Sequence, residues 1–248
     1  MLDAGHHQAA GLARALAPRT PNLLAFPLAD GQPVHWIARI AQGLRACGRK
    51  PLLLDAYGGL VAFSLGSRPQ HDLIELLRGE RDFDEVALCT PDGVWVLRGE
   101  RGIDAFAQSG EPPSRLLSAF ANLSQGFDDV LLAMPAGEIA SMAPPQLVVP
   151  VIGLDAGSTS LVACYGQVKQ LATEFGFRRF ACVIHGEPSV TQAAEQCGRL
   201  ADTLSDFLGV DLRFGAWLAP DGANAEALAI AAEALLQAVG ASDTNTKE

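Results

Sequence analysis

The polar residues best placed for chemistry follow two apolar segments that have the character of buried strands. Asp55 and Tyr57 come after the apolar run 51–54, and His185 follows the run 180–184. In a parallel sheet, binding and catalytic residues usually lie at the carboxyl ends of the strands. We therefore expect Asp55, Tyr57 and His185 at that edge, where they could form a small polar pocket.

Two other groups of potential ligands or nucleophiles indicate structural roles. His6 and His7 have no second pair of ligands at a suitable spacing, so a solvated terminus is expected rather than a metal site. The five cysteines are scattered, odd in number and form no C-x-x-C pair, which favours packing in a reducing compartment over a disulfide or zinc framework. Cys164 and Cys197 fall on apolar helix faces, so we expect burial rather than catalysis.

The elements that must position these residues alternate along the chain. The predicted strands are 23–26, 51–55, 86–89, 94–97, 129–134, 146–153, 180–184 and 212–218; the predicted helices are 37–48, 70–78, 115–123, 159–175, 190–208 and 223–239. Such alternation predicts an α/β fold with a mostly parallel sheet and helices on both faces. We expect one domain over residues 21–240, with an N-terminal extension (1–20) and a frayed polar tail (241–248).

Composition and charge exclude several classes of protein. The chain has 248 residues, 49% hydrophobic and 19% charged, with a net charge of −10. The apolar content excludes intrinsic disorder, and no apolar run is long enough to span a membrane. Residues 1–10 lack the pattern of a secretory signal, so a cytoplasmic protein is expected. The negative charge disfavours nucleic acid as a partner.

Several segments in this order resemble the MinD/ParA-type ATPases of the SIMIBI class of P-loop proteins. LLLDAYGGL (52–60) resembles the family's L-L-D-A-D-x-G-L, and FDDVLLAMPAG (127–137) resembles Y-D-x-V-L-I-D-x-P-A-G. Residues 73–79 and 93–97 are similar to its L-x-x-V-L-x-G and G-L-x-V-L-P-G segments. The resemblance covers nearly the whole chain. It implies a three-layer, doubly wound sheet.

The N-terminus resembles one branch of this family. HQAAGLAR (7–14) is similar to the D-Q-A-x-G-L-R motif of the flagellar regulators FlhG and FleN. In that family the motif forms a helix that binds and stimulates an FlhF-type GTPase, which implies a partner-binding role here. His7 and Ala13 depart from the motif, and an ordinary amphipathic helix packed on the domain is the alternative. The positions that would bind the partner are Gln8, Ala9, Gly11 and Leu12.

The resemblance also assigns a nucleotide site, in which a Gly-rich loop surrounds the phosphates, a Lys neutralises them and a Thr holds Mg²⁺. Counted back from Asp55, Pro33 and Val34 occupy the Lys and Thr positions, and Leu28 occupies that of a second Lys. Gly31 remains in the loop beside Asp30. We expect Asp30 to cap the following helix and to repel phosphate.

Three later positions of the implied site are also changed. Tyr57 replaces the second Asp of D-x-D, Ala133 replaces the Walker B Asp, and His185 replaces an adenine-reading Asn. Of the acidic set, Asp55 remains. A shifted loop would not restore the site, because residues 23–40 contain no Lys, Ser or Thr.

These departures predict a non-catalytic MinD/ParA-like regulator of flagellar or other polar assembly. It would use neither ATP nor Mg²⁺ and would bind a protein, with an FlhF-like GTPase as the first candidate. We expect a monomer or a dimer independent of nucleotide. Two alternatives stay open: a divergent ATPase with an atypical loop, and a structural partner of another MinD-like system, such as cellulose secretion or pilus polarity.

Overall fold

The computed structural model describes residues 21–110, 126–155, 158–187, 189–220 and 224–240. Its strands are β1 (Asn22–Leu28), β2 (Pro51–Asp55), β3 (Leu88–Cys89), β4 (Trp95–Arg98), β5 (Asp129–Pro135), β6 (Val151–Asp155), β7 (Arg179–His185) and β8 (Asp211–Leu218). Five of them form a sheet in the order β1-β5-β2-β4-β3, and the other three follow in the order β6-β7-β8.

The two groups of strands lie side by side. Ala25 of β1 forms a parallel bridge with Pro150, directly before β6, and β1 packs against β6. Each strand pair within the two sheets is parallel except β3 with β4. This arrangement confirms the predicted α/β fold, and it places the carboxyl ends of the parallel strands along one edge.

The described helices connect these strands. They are α1 (His35–Ala46), α2 (Leu60–Ser64), α3 (Leu73–Leu77), α4 (Phe83–Val86), α5 (Glu100–Ser109), α6 (Ala136–Met142), α7 (Ser158–Glu174), α8 (Val190–Leu208) and α9 (Ala225–Gly240). Their buried residues fall into two clusters that alternate along β2. Leu53 belongs to the cluster with α1 and α9, whereas Leu52 and Leu54 belong to the cluster with α7 and α8. The helices therefore cover both faces of the sheet, as predicted.

Several elements differ from the prediction. The strand predicted over 146–153 begins only at Val151, because residues 145–147 form a turn in which the N–H of Leu147 donates to the carbonyl of Pro144 (2.9 Å). The strand predicted over 86–89 begins only at Leu88, because Val86 ends α4. Helices α2, α4, α5 and α6 were not predicted. The helix predicted over 115–123 and the N-terminal motif both lie outside the described residues.

Candidate functional site

The loop between β1 and α1 is held by its own side chains. The N–H of Ala29 donates to the side-chain oxygen of Gln32 (3.3 Å), and the N–H of Gln32 donates to the carbonyl of Ala29 (3.2 Å). Gly31 has a φ of +78°, which an L-residue adopts with strain. The indole N–H of Trp36 donates to the carbonyl of Pro33 (3.0 Å). Gln32 thus occupies the inside of the turn.

A hydrogen bond joins this loop to the segment after β2. The hydroxyl of Tyr57 donates to the carboxylate of Asp30 (3.1 Å). Burial and this bond to Asp30 raise the pKa of Tyr57 above its usual value. The expectation that Asp30 caps α1 is wrong, because the N-cap residue is Val34 and no side chain makes a capping bond there. Asp30 instead holds its negative charge at the mouth of the loop, bound by Tyr57.

Asp55, the acidic residue retained from the implied site, has a structural use in the turn after β2. It is fully buried, and its two oxygens accept the N–H groups of Tyr57 (3.0 Å) and Ala62 (2.8 Å). Burial raises its pKa, and the surrounding backbone N–H groups oppose that rise. Asp55 thereby fixes the turn that leads into α2.

Apolar side chains occupy three positions where the resemblance assigns polar groups. Leu28, Val34 and Ala133 are all buried and belong to the cluster that packs between the sheet and α1. Ala133 lies in register with Asp55 on β2. These three side chains therefore belong to the hydrophobic core beneath the β1–α1 loop. Pro33, which the resemblance places at the Lys position, is exposed.

His185 lies in a different group, at the end of β7. The residue is buried, with 3% of its surface exposed. Its ring is nearly parallel to that of Trp36, with the ring centroids 6.3 Å apart, and it meets the ring of His35 edge-on, with the centroids 5.3 Å apart. Its Nδ1 is 3.6 Å from a carboxylate oxygen of Asp155. Burial lowers its pKa to about 4; His35 and Arg39 add to this, and Asp155 opposes it. His185 is therefore neutral at pH 7.

The structure does not bring Asp55 and His185 together. Strands β5, β1 and β6 lie between β2 and β7, which at 4.8 Å per strand separates them by about 19 Å. Tyr57 does lie beside Asp55, through its backbone N–H. The expected pocket of Asp55, Tyr57 and His185 is therefore not formed, because sequence order does not fix the order of the strands.

A residue that the sequence analysis did not identify ties the loop to α7. Gln167 is buried, and its side-chain N–H₂ donates to the carbonyl of Pro27 (2.6 Å) and to the side chain of Gln32 (3.4 Å). A single glutamine on an otherwise apolar helix face gave no signal of this contact. Gln167 fixes the carboxyl end of β1 and the position of Gln32 together.

The two acidic side chains near the β1–α1 loop both have hydrogen-bond partners within the protein. Both oxygens of Asp55 accept backbone N–H groups, and the carboxylate of Asp30 accepts the hydroxyl of Tyr57. Among the residues that the structure describes, no three His, Cys, Asp or Glu side chains form a group that could hold a metal ion.

Within the described part of the chain, no helix has the length and apolar character needed to cross a bilayer.

Comparison with known proteins identifies the fold. No protein-family model matches the sequence, and no curated protein matches it. Among solved structures, cobyrinic acid a,c-diamide synthase from Mycobacterium smegmatis matches with a TM-score of 0.62 and 18% identity, over 88% of this chain and 94% of that chain. The same enzyme with a bound ATP analogue and magnesium matches with a TM-score of 0.60.

Cell-division proteins match over a similar span. The MinC:MinD complex of Aquifex aeolicus gives a TM-score of 0.55 at 16% identity, over 85% of this chain and 86% of that chain. The Pyrococcus furiosus cell-division ATPase MinD gives 0.54 at 16% identity, over 87% and 98%. At such identities the likeness concerns the fold alone. The chain therefore has the α/β fold of the MinD/ParA-type P-loop ATPases.

Proposed function

We propose that this protein is a non-catalytic member of the MinD-like fold that acts by binding another protein. The observation that carries the proposal is the hydrogen bond from Tyr57 to Asp30. It holds a carboxylate at the mouth of the β1–α1 loop, where an ATPase of this fold would need positive charge for the phosphates.

The energetic deficit at the loop is large enough to prevent useful nucleotide binding. Each charge-assisted hydrogen bond contributes about 1.5–3 kcal/mol, and Pro33 and Val34 can supply neither the ammonium nor the hydroxyl. Losing two such bonds weakens affinity by about a hundredfold or more. The charge of Asp30 would oppose the phosphates further, so the protein would not switch between nucleotide states.

An ATP hydrolysis assay tests the absence of catalysis. The full chain, incubated with ATP and Mg²⁺, is expected to release no more phosphate than buffer does. Asp55→Asn is the control for a contaminating ATPase, because it removes the remaining acidic residue of the implied site. It is assayed well below its melting temperature, since Asp55 also holds the turn into α2. Sustained phosphate release that is abolished by Asp55→Asn would contradict the proposal.

We further propose a specific protein partner, an FlhF-like GTPase of flagellar assembly. It is based on the similarity of residues 7–14 to the motif of the flagellar regulators. The full chain is expected to raise GTP hydrolysis by such a GTPase, and Gln8→Ala to abolish that effect. Gln170→Ala, at an exposed glutamine of α7, is the matched control. Equal stimulation by wild type and Gln8→Ala, or none by either, would remove the flagellar assignment.

One observation favours the second candidate, a divergent ATPase. Helix α1 has no side-chain cap at Val34 and no acidic residue in its first turn, so its first-turn N–H groups are not occupied by a side chain and could face an anion. Under this alternative, Mg-ATP would bind at α1 despite Asp30. The same hydrolysis assay separates the two candidates.

A further inference from the structure

A pocket at another point of the same sheet edge has the character of a ligand site. It has a volume of about 430 Å³, and its wall includes Gly58, Phe63, Ser67, Arg68 and Arg98. Arg98 ends β4, and Gly58 follows the end of β2, so the pocket lies at the carboxyl ends of these two strands. The volume is within the range of about 300–1,000 Å³ that is usual for small-molecule sites.

The wall of this pocket is basic, although the protein as a whole is acidic. Arg68 and Arg98 both line it, and none of the described residues in its lining is Asp or Glu. The nearest carboxylate contact of Arg98 is Glu100, at 3.9 Å, which is too long for a hydrogen bond. An exposed pair at that distance contributes little. Among the described residues, the pocket lining therefore combines two arginines with no carboxylate, and the recorded ion pair of Arg98 is a long one.

Two buried polar atoms in the same wall lack partners. Within the described part of the chain, neither the Nε of Arg98 nor the hydroxyl of Ser67 makes a hydrogen bond. Ser67 is only 4% exposed, so water does not readily replace the missing partner. Buried donors are normally satisfied in folded proteins, and the two residues that carry these atoms both line the pocket.

The aromatic side of the pocket orients one of the cations. The guanidinium carbon of Arg68 lies 4.9 Å from the ring centroid of Phe63, within cation–π range. An arginine in such a contact can still donate its N–H groups to an oxyanion. Phe63 and Leu60 are 58% and 48% exposed. They give the basic pocket an apolar rim.

We propose that this pocket binds a small organic oxyanion, a carboxylate or a phosphate ester, through Arg68, Arg98 and Ser67. Arginine pairs with both kinds of oxyanion in a fork-like geometry, the serine hydroxyl supplies a further donor, and the rim packs against the ligand's carbon skeleton. This site goes beyond the proposed function: β5 lies between β1, which leads into the β1–α1 loop, and β2, and no residue of that loop lines the pocket.

Calorimetric titration of the full chain with sodium phosphate and, separately, with sodium citrate tests this site. Sodium chloride at matched ionic strength is the reference. Saturable binding of one probe is expected, and which probe binds distinguishes a phosphate from a carboxylate ligand. If neither probe binds beyond the chloride reference, the proposal is overturned.

Variants connect the binding to the pocket. Arg68→Gln, at an exposed side chain, and Arg98→Gln are each expected to weaken binding about tenfold or more. Arg78→Gln, which changes the same charge at a side chain that is 63% exposed and outside the pocket, is expected to leave the affinity within about twofold. Equal weakening by all three variants would indicate a general charge effect and overturn the proposal.

Ser67→Ala separates binding from folding. It removes a buried hydroxyl that has no partner, so the melting temperature without ligand is expected to stay the same or rise, while the affinity for the probe falls. A lower melting temperature together with unchanged affinity would show that Ser67 is structural only, and would remove it from the site.

Discussion

Replacing His185 with asparagine is expected to remove an acid-sensitive contribution to the free energy of unfolding. His185 is buried, and its pKa in the folded protein is about 4, against an ordinary value of 6.5. The folded state therefore keeps the ring neutral, while the unfolded chain protonates it below pH 6.5. The contribution of the neutral ring is fully present above pH 6.5 and is lost as the pH falls toward 4.

The size of this effect follows from the two pKa values. As the pH falls below both pKa values, the free energy of unfolding decreases by about 3 kcal/mol in total. Between pH 8 and pH 5 the decrease is about 2 kcal/mol. For a domain of this size, about 2 kcal/mol lowers the melting temperature by about 4–8 °C. Asparagine does not titrate, so this part of the pH dependence is absent from His185→Asn.

Urea unfolding at pH 8, 6.5 and 5 measures the effect in both proteins. The difference in free energy between wild type and His185→Asn is expected to shrink by about 2 kcal/mol from pH 8 to pH 5. Asp155→Asn is the companion variant. It removes the attraction that raises the pKa of His185, so the loss of stability should extend to lower pH. A wild-type-minus-variant difference that stays constant across this range would refute the buried, neutral His185.

Three further predictions concern single side chains. Asp55→Asn is expected to lower the free energy of unfolding by about 1–3 kcal/mol, because the N–H₂ that replaces one carboxylate oxygen cannot accept the N–H of Tyr57 or Ala62; an unchanged urea midpoint would contradict this. Gly153→Ala would place a Cβ atom against the ring of Trp36, too close for both to fit, so the free energy of unfolding is expected to fall by about 1–3 kcal/mol and the tryptophan fluorescence to change. Burial, with nearby carboxylates, raises the pKa of Glu138 to about 7, so its stabilising effect fades as the pH rises from 4.5 to 7. Glu138→Gln should therefore stabilise the protein at pH 8, by at most about 3 kcal/mol and less for a partly solvated group, and have little effect at pH 4.5.

The parts of the fold that the sequence predicted are those governed by local pattern. The apolar runs at 51–55 and 180–184 are buried strands, and the helix over 190–208 has the predicted bounds. In contrast, α5 and α6 were missed. Helix α5 has Ile103 and Phe106 at helical spacing and ends at Gly110, so its signal was present but short. Helix α6 follows β5 without an intervening loop, so no boundary marks its start.

The geometry of the site could not be predicted, because it depends on contacts between distant residues. Asp30 and Tyr57 are 27 residues apart, on loops that follow β1 and β2, and β5 lies between those strands. Nothing local to either residue indicates the hydrogen bond. Similarly, Asp55 matches the family's acidic motif in sequence, but its backbone partners in α2 become evident only once the chain has folded.

Thermal unfolding across a titration of Mg-ATP tests most directly whether the β1–α1 loop binds nucleotide. Wild type and the Arg68→Gln/Arg98→Gln double variant are compared, because the basic pocket could itself bind the phosphates of ATP. A ligand at a hundred times its dissociation constant stabilises the folded state by about 2.7 kcal/mol. We predict no saturable shift in melting temperature in the double variant up to millimolar Mg-ATP. A saturable shift that persists in that variant and requires Mg²⁺ would contradict the account.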